Sequence, residues 1–202
     1  MQERSERTPG RVGRTLGLVG SATGGLPAIR RGLVEPAMRR GWRVAATFTP
    51  NAGRWLDRSG ELRRIEEVTG LAARVDPRLP TDPKPHPPID CYLVCPASAN
   101  TVAKLALGLA DNQAMTVACE GIGWPGVPVV VYPRVNTAHV QHPAWDAHVA
   151  ALRAAGVHLL LGEDFGPLPG PRGNGEDSGE GGGEEVELPW ARILDEVDGI
   201  VA

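Results

Sequence analysis

The sequence predicts an α/β protein built on a doubly wound parallel sheet in three layers, α/β/α. Three observations carry that prediction. Short continuous apolar runs, such as Cys91–Cys95 (CYLVC) and Val127–Tyr132 (VPVVVY), have the composition of strands buried on both faces. Amphipathic stretches of helical period separate these runs, and strands alternating with helices imply βαβ units. Glycine and small polar clusters close the apolar runs at the points where helices should begin.

The elements follow in order. Thr15–Gly20 (TLGLVG) is a strand closed by the turn SATGG, and Leu26–Arg40 is a helix with Leu26, Ile29, Leu33 and Ala37 along one side. Arg43–Thr49 is a second strand, ended by Pro50 and Asn51, and Ala52–Asp57 starts a short helix. Glu61–Val68 reads as helix and Leu71–Val75 as a short strand. A loop with six prolines, Pro77–Pro88, precedes the strand Cys91–Cys95, which runs into PASANT and a helix over Thr101–Leu109. Gln113–Glu120 is helical, Val127–Tyr132 is a strand, and His142–Ala155 is a helix with proline in its first turn. Gly156 ends that helix before a last strand, Val157–Leu161, and Pro189–Ala202 is a closing amphipathic helix.

At 202 residues with a net charge of −3, the chain has room for a core without disulfide staples and lacks the basic field of a nucleic-acid or membrane-surface binder. The expected organisation is a flexible N-terminus, 1–13, and one domain, 14–202, interrupted by a flexible Gly/Pro/acidic loop, 166–187. No apolar run reaches the ~18 residues of a membrane span. The three cysteines, Cys91, Cys95 and Cys119, sit in apolar surroundings and read as reduced, which points to the cytoplasm. No second ligand pair accompanies Cys91 and Cys95, and His139, His142 and His148 read as capping and surface residues, so no metal is expected.

In a doubly wound sheet, ligands bind beyond the carboxyl ends of the strands. Four of those ends carry small hydroxyl or amide residues: Ser21–Gly25, Thr49–Asn51, Pro96–Thr101 and Pro133–Thr137. Such residues are ordinary helix caps taken singly. Four clusters on one edge instead point to an anion held by helix N-termini, a phosphate above all. The first turn lacks the G-x-G-x-x-G of a dinucleotide site, the chain has no G-x-x-x-x-G-K-[ST], and Lys84 and Lys104 are its two lysines. A mononucleotide such as FMN fits better than NAD or ATP. Arg134, beside Asn136, is a cation suited to reading a substrate carboxylate or phosphate.

The string Asp90–Asn112 (DCYLVCPASANTVAKLALGLADN) resembles the PASANT segment of the flavin-containing cysteine decarboxylases. Pro133–Ala144 (PRVNTAHVQHPA) is similar to that family's P-x-M-N-x-x-M-W motif, with Val135, His139 and Val140 where the motif has Met, Met and Trp. The resemblance covers Leu16 to Leu161 and implies a flavodoxin-like, FMN-binding fold in a homo-oligomer, a trimer or dodecamer, with the flavin near a subunit boundary. It implies that Ser21, Ala22, Thr49, Asn51, Ser98, Ala99, Asn100 and Thr101 hold the FMN, with Asp111 and Asn112 near the flavin. Asn136 would bind the substrate carboxylate, Arg134 and Val135 would touch substrate, and His86, the histidine upstream of PASANT, would serve the active site with Asn136. The implied reaction is oxidative decarboxylation of a C-terminal cysteine of a peptide, leaving an aminoenethiol. Gly166–Glu185 stands where the family has a substrate flap. Alternatives are a phosphopantothenoylcysteine decarboxylase-like activity on a small molecule, a flavin prenyltransferase, or a flavin-binding regulatory subunit without catalysis.

Overall fold

A computed structural model describes residues 13–162, 165, 168, 170 and 188–202. The stretches expected to be flexible, 1–13 apart from Gly13 and most of 166–187 with the expected flap, lie outside the described residues. Among the described residues, five strands form one all-parallel sheet: β1 (Arg14–Gly20), β2 (Trp42–Phe48), β3 (Cys91–Ala97), β4 (Val129–Pro133) and β5 (His158–Leu159). Their order across the sheet is β2-β1-β3-β4-β5. The helices are α1 (Glu35–Arg39), α2 (Pro50–Arg58), α3 (Glu61–Thr69), α4 (Ala99–Leu107), α5 (Gln113–Gly123), α6 (Thr137–Val140), α7 (Trp145–Ala154) and α8 (Trp190–Val201).

Alternation along the strands divides the core into two. Leu16, Leu18, Val44, Phe48, Leu93 and Cys95 face one layer, which holds Leu26, Ile29 and Leu33, Leu56 of α2, Ile65 of α3, and Trp190, Ile193 and Leu194 of α8. Val19, Val94, Val129 and Val131 face the other, against Val102 of α4, Met115 of α5 and Val149 and Leu152 of α7. Strands apolar on both faces are buried on both faces, which gives the predicted three layers. Because α2 and α3 join the first layer, the second face over β1 and β2 is roofed by α5 and the loop that follows α3.

Some elements differ from expectation. The helix expected over Leu26–Arg40 is a 3₁₀ turn (Leu26–Ala28), a π turn (Arg30–Val34) and the short α1. Pro36 has no N–H to give to the preceding turn and its ring crowds that turn's carbonyl, so the chain widens ahead of it. The expected strand Leu71–Val75 contracts to a bridge between Arg74 and Thr47, closed by Phe48 N–H to Arg74 O at 2.7 Å and Arg74 N–H to Ala46 O at 2.9 Å. The helix expected from His142 begins at Trp145, and α6 precedes it, capped by Asn136.

Candidate functional site

Helices α2, α4 and α5 each begin with a side chain that caps its own first turn. The Thr49 hydroxyl accepts from Ala52 N–H at 3.4 Å, Ser98 Oγ from Thr101 N–H at 3.2 Å, and Asn112 Oδ1 from Met115 N–H at 3.1 Å. The first N–H groups of a helix have no partner within it, and the helix dipole adds positive potential there. Ser21 ties these ends together. Its N–H donates to Pro96 O at 3.0 Å, its Oγ lies 2.7 Å from Thr101 Oγ1, and Thr101 Oγ1 lies 3.0 Å from Ser98 Oγ. Thr49 N–H donates to Gly20 O at 3.0 Å, which joins the β1 and β2 ends.

The starts of α2, α4 and α5 converge on one cleft of 520 Å³, within the roughly 300–1,000 Å³ usual for small-molecule sites. Ser21 and Ala22 line it from the β1 end, Thr49 and Asn51 from α2, Ser98, Asn100 and Thr101 from α4, and Asp111 and Asn112 from the approach to α5. Of the residues expected to hold the flavin, Ala99 is absent from that lining and packs against the second core layer instead. Pro50, Lys104 and Met115 also line the cleft and were not anticipated. Lys104 was findable, because it follows Asn100 by one helical turn and shares its face. Its Nζ lies 2.6 Å from Asp111 Oδ2, and that hydrogen bond holds the Asp111 carboxyl below the usual carboxylate range.

The donor set is neutral hydroxyls, amides and helix N-termini, with one lysine already paired. It fits a phosphate monoester carrying a polar chain and ring, as FMN does. Gly20 and Gly25 of the first turn serve close packing. A Cβ on Gly20 would lie 2.7 Å from the Phe48 ring, and one on Gly25, at φ +87°, would lie 2.4 Å from Leu188. Ser21 and Ala22, rather than the glycines, reach the cleft.

The remaining predicted residues lie elsewhere. Arg134 N–H donates to Ala97 O at 2.7 Å, and the Thr23 hydroxyl donates to Arg134 O at 3.1 Å, so the β4 end is bound to the first turn. Val135 is 4% exposed and belongs to the second core layer. Asn136 caps α6, its Oδ1 accepting from His139 N–H at 3.0 Å. His86 lines a second cleft, of 560 Å³, on the far side of α5. Its Nε2 lies 2.8 Å from Ala72 O, and burial pulls its pKa below the ordinary value.

Two buried thiols stand on β3, the central strand of the sheet. Burial pushes Cys91 up to about 12 and raises Cys95 as well, so neither is a thiolate near neutrality. Among the described residues no three His, Cys, Asp or Glu side chains gather as a metal site, and no helix is long and apolar enough to cross a membrane.

The model of the Flavoprotein family matches residues 22–200. A phosphopantothenoylcysteine decarboxylase of Mus musculus is 38% identical over 68 residues, 33% of this chain and 32% of that protein. The structure of the FMN-dependent cysteine decarboxylase SpaF is 25% identical, with a TM-score of 0.54 over 73% of this chain and 82% of that one. The structure of HAL3 from Cryptococcus neoformans, 16% identical, shares the fold with a TM-score of 0.64 over 95% of this chain and 97% of that one. The matched segments span between 19% and 36% of the first curated relatives' lengths.

Proposed function

The chain belongs to the Flavoprotein family, and on that premise we propose that it is an FMN-dependent decarboxylase acting on a cysteine carboxylate, first of all the C-terminal cysteine of a peptide. The observation that carries the proposal is the convergence of the α2, α4 and α5 N-termini, capped by Thr49, Ser98 and Asn112, on one cleft. The first turns of α2 and α4 would bind the phosphate, and Ser21, Asn51 and Asn100 the ribityl chain and ring edge. Bound FMN supplies a two-electron acceptor that lets the thiol-bearing carbon be oxidised and the carboxylate leave as CO2.

The protein's own part is to position the substrate and handle protons. Asn136 uses Oδ1 in its cap, which leaves its Nδ2 donors for the substrate carboxylate without burying a second charge. Arg134 supplies the nearby cation. His86, kept neutral by burial, has the protonation state of a base near pH 7. It lines the cleft across α5 from the flavin cleft, so its use at the flavin needs a homo-oligomer in which those two clefts of different copies meet.

Two substrate readings are kept apart by experiment. The 25% identity to a structure described as an FMN-dependent cysteine decarboxylase supports action on a cysteine, and the 38% match over 68 residues to the mouse protein supports phosphopantothenoylcysteine. Incubating the FMN-loaded protein with a cysteine-terminated peptide, and separately with phosphopantothenoylcysteine, and following each by mass spectrometry decides between them. Loss of CO2 and two hydrogens from the peptide is expected. Loss of CO2 from the small molecule alone would reassign the substrate, and no loss from either with FMN bound would leave a flavin-binding protein without this activity.

A further inference from the structure

We propose that the second cleft, which His86 also lines, holds an anion site distinct from the proposed FMN phosphate cradle, built for the phosphoryl group of a small phosphate ligand. It is the 560 Å³ cleft roofed by α5 and the proline loop, over the face of β1 and β2 that carries no helix of the first layer. Arg74, Arg78 and Lys84 line it, against one carboxylate among the described residues, Glu120. None of the three cations makes an ion pair within 4 Å among the described residues.

Arg74 is the anchor. Its backbone is pinned to β2 on both sides by hydrogen bonds to Phe48 and Ala46, so the guanidinium starts from a fixed point. Burial and the neighbouring Arg78 pull its pKa down, and Glu120 offsets part of that. Arg78 holds the loop in shape, its Nη1 donating to the carbonyls of Leu79, Pro80 and Asp82. Lys84 adds a charge from the same loop.

The other lining groups suit a phosphate with an organic body. Gln113 and Tyr92 offer neutral donors, while Pro85, Ile89 and Val117 present apolar surface. Tyr92 is held in place by two close backbones: a Cβ on Gly17 would come within 2.7 Å of its ring and one on Gly121 within 2.6 Å. A guanidinium fork binds phosphate through paired hydrogen bonds, and excess cations in a half-enclosed cleft favour a dianion over a carboxylate.

The site stands on its own charge and is read by binding, so failure of the flavin or decarboxylase reading leaves it intact. Calorimetric titration of the full chain with inorganic phosphate and with phenyl phosphate, with and without saturating FMN, tests it. A binding event that persists with FMN is expected, weakened about tenfold or more in Arg74→Met and in Lys84→Met and unchanged in Arg63→Met, whose side chain is paired with Glu67 on the surface of α3. Tighter binding of phenyl phosphate identifies an organic phosphate as the ligand, and equal binding identifies free phosphate. No saturable event beyond the flavin cleft, or one of equal strength in the folded Arg74 and Lys84 variants, overturns the proposal.

Discussion

Thr101 serves two neighbours at once, with its hydroxyl 2.7 Å from Ser21 and 3.0 Å from Ser98. Both Thr101 and Ser21 are 1% exposed, so Thr101→Val leaves a buried hydroxyl without a partner. The expected cost is about 1–3 kcal/mol in urea unfolding, with weaker FMN binding because Ser21 is released. Asn136 allows cap and chemistry to be separated. Asn136→Asp keeps an oxygen for His139 N–H, so stability should hold within about 0.5 kcal/mol, while a carboxylate set against the substrate carboxylate should lower kcat/KM at least about tenfold. Unchanged kcat/KM would remove Asn136 from substrate binding. His86 carries a pH signature. Its folded pKa lies below the ordinary value because of burial, so on acidification the unfolded chain takes up the proton first. Stability from this group is present above about pH 6.5 and is lost as the pH falls from there toward the folded pKa. Urea midpoints measured on both sides of that window should drop more in the wild type than in His86→Gln, and equal drops would contradict the assignment.

At the scale of elements, what could be read in advance was what local chemistry decides. The apolar runs around Cys91–Cys95 and Val127–Tyr132 became β3 and β4, and the residues before α2, α4 and α5 became their caps, because capping and burial act over a few residues. Elements that depend on distant neighbours were less legible. The Arg74 bridge exists because β2 has an open edge there, and β5 is cut to His158–Leu159 by its pairing with Val130 and Val131. The irregular segment before α1 is shaped by Trp190 as well as by Pro36. A Cβ on Gly32 would lie 2.3 Å from Trp190 Nε1 and 2.5 Å from Cδ1. In Gly32→Ala the overpacking of about 1–3 kcal/mol outweighs the helix propensity gained, up to about 1 kcal/mol. A net loss is therefore expected in chemical denaturation, and a more stable variant would show that Trp190 yields.

For the whole molecule, the strand-end cleft proposed for FMN was legible and the cleft of Arg74 was not, for one physical reason. The first is made of strand-end residues, and a doubly wound sheet gathers those ends whatever the detail of its helices. The second arises because α2 and α3 pack in the first layer, leaving part of the second face to α5 and a proline loop. Nothing local in Arg74 or Lys84 announces that routing, and the same routing sets His86 apart from Ser98 and Asn51. The central claim is that the three capped helix ends around Ser98 form an FMN site. Titration of the flavin-free protein with FMN, followed by quenching of flavin fluorescence, tests it most directly. One FMN per chain should bind saturably, with affinity falling about tenfold or more in Ser98→Ala and in Asn51→Ala and holding in Arg74→Met. Absence of saturable binding, or binding indifferent to Ser98 and Asn51, would contradict the account.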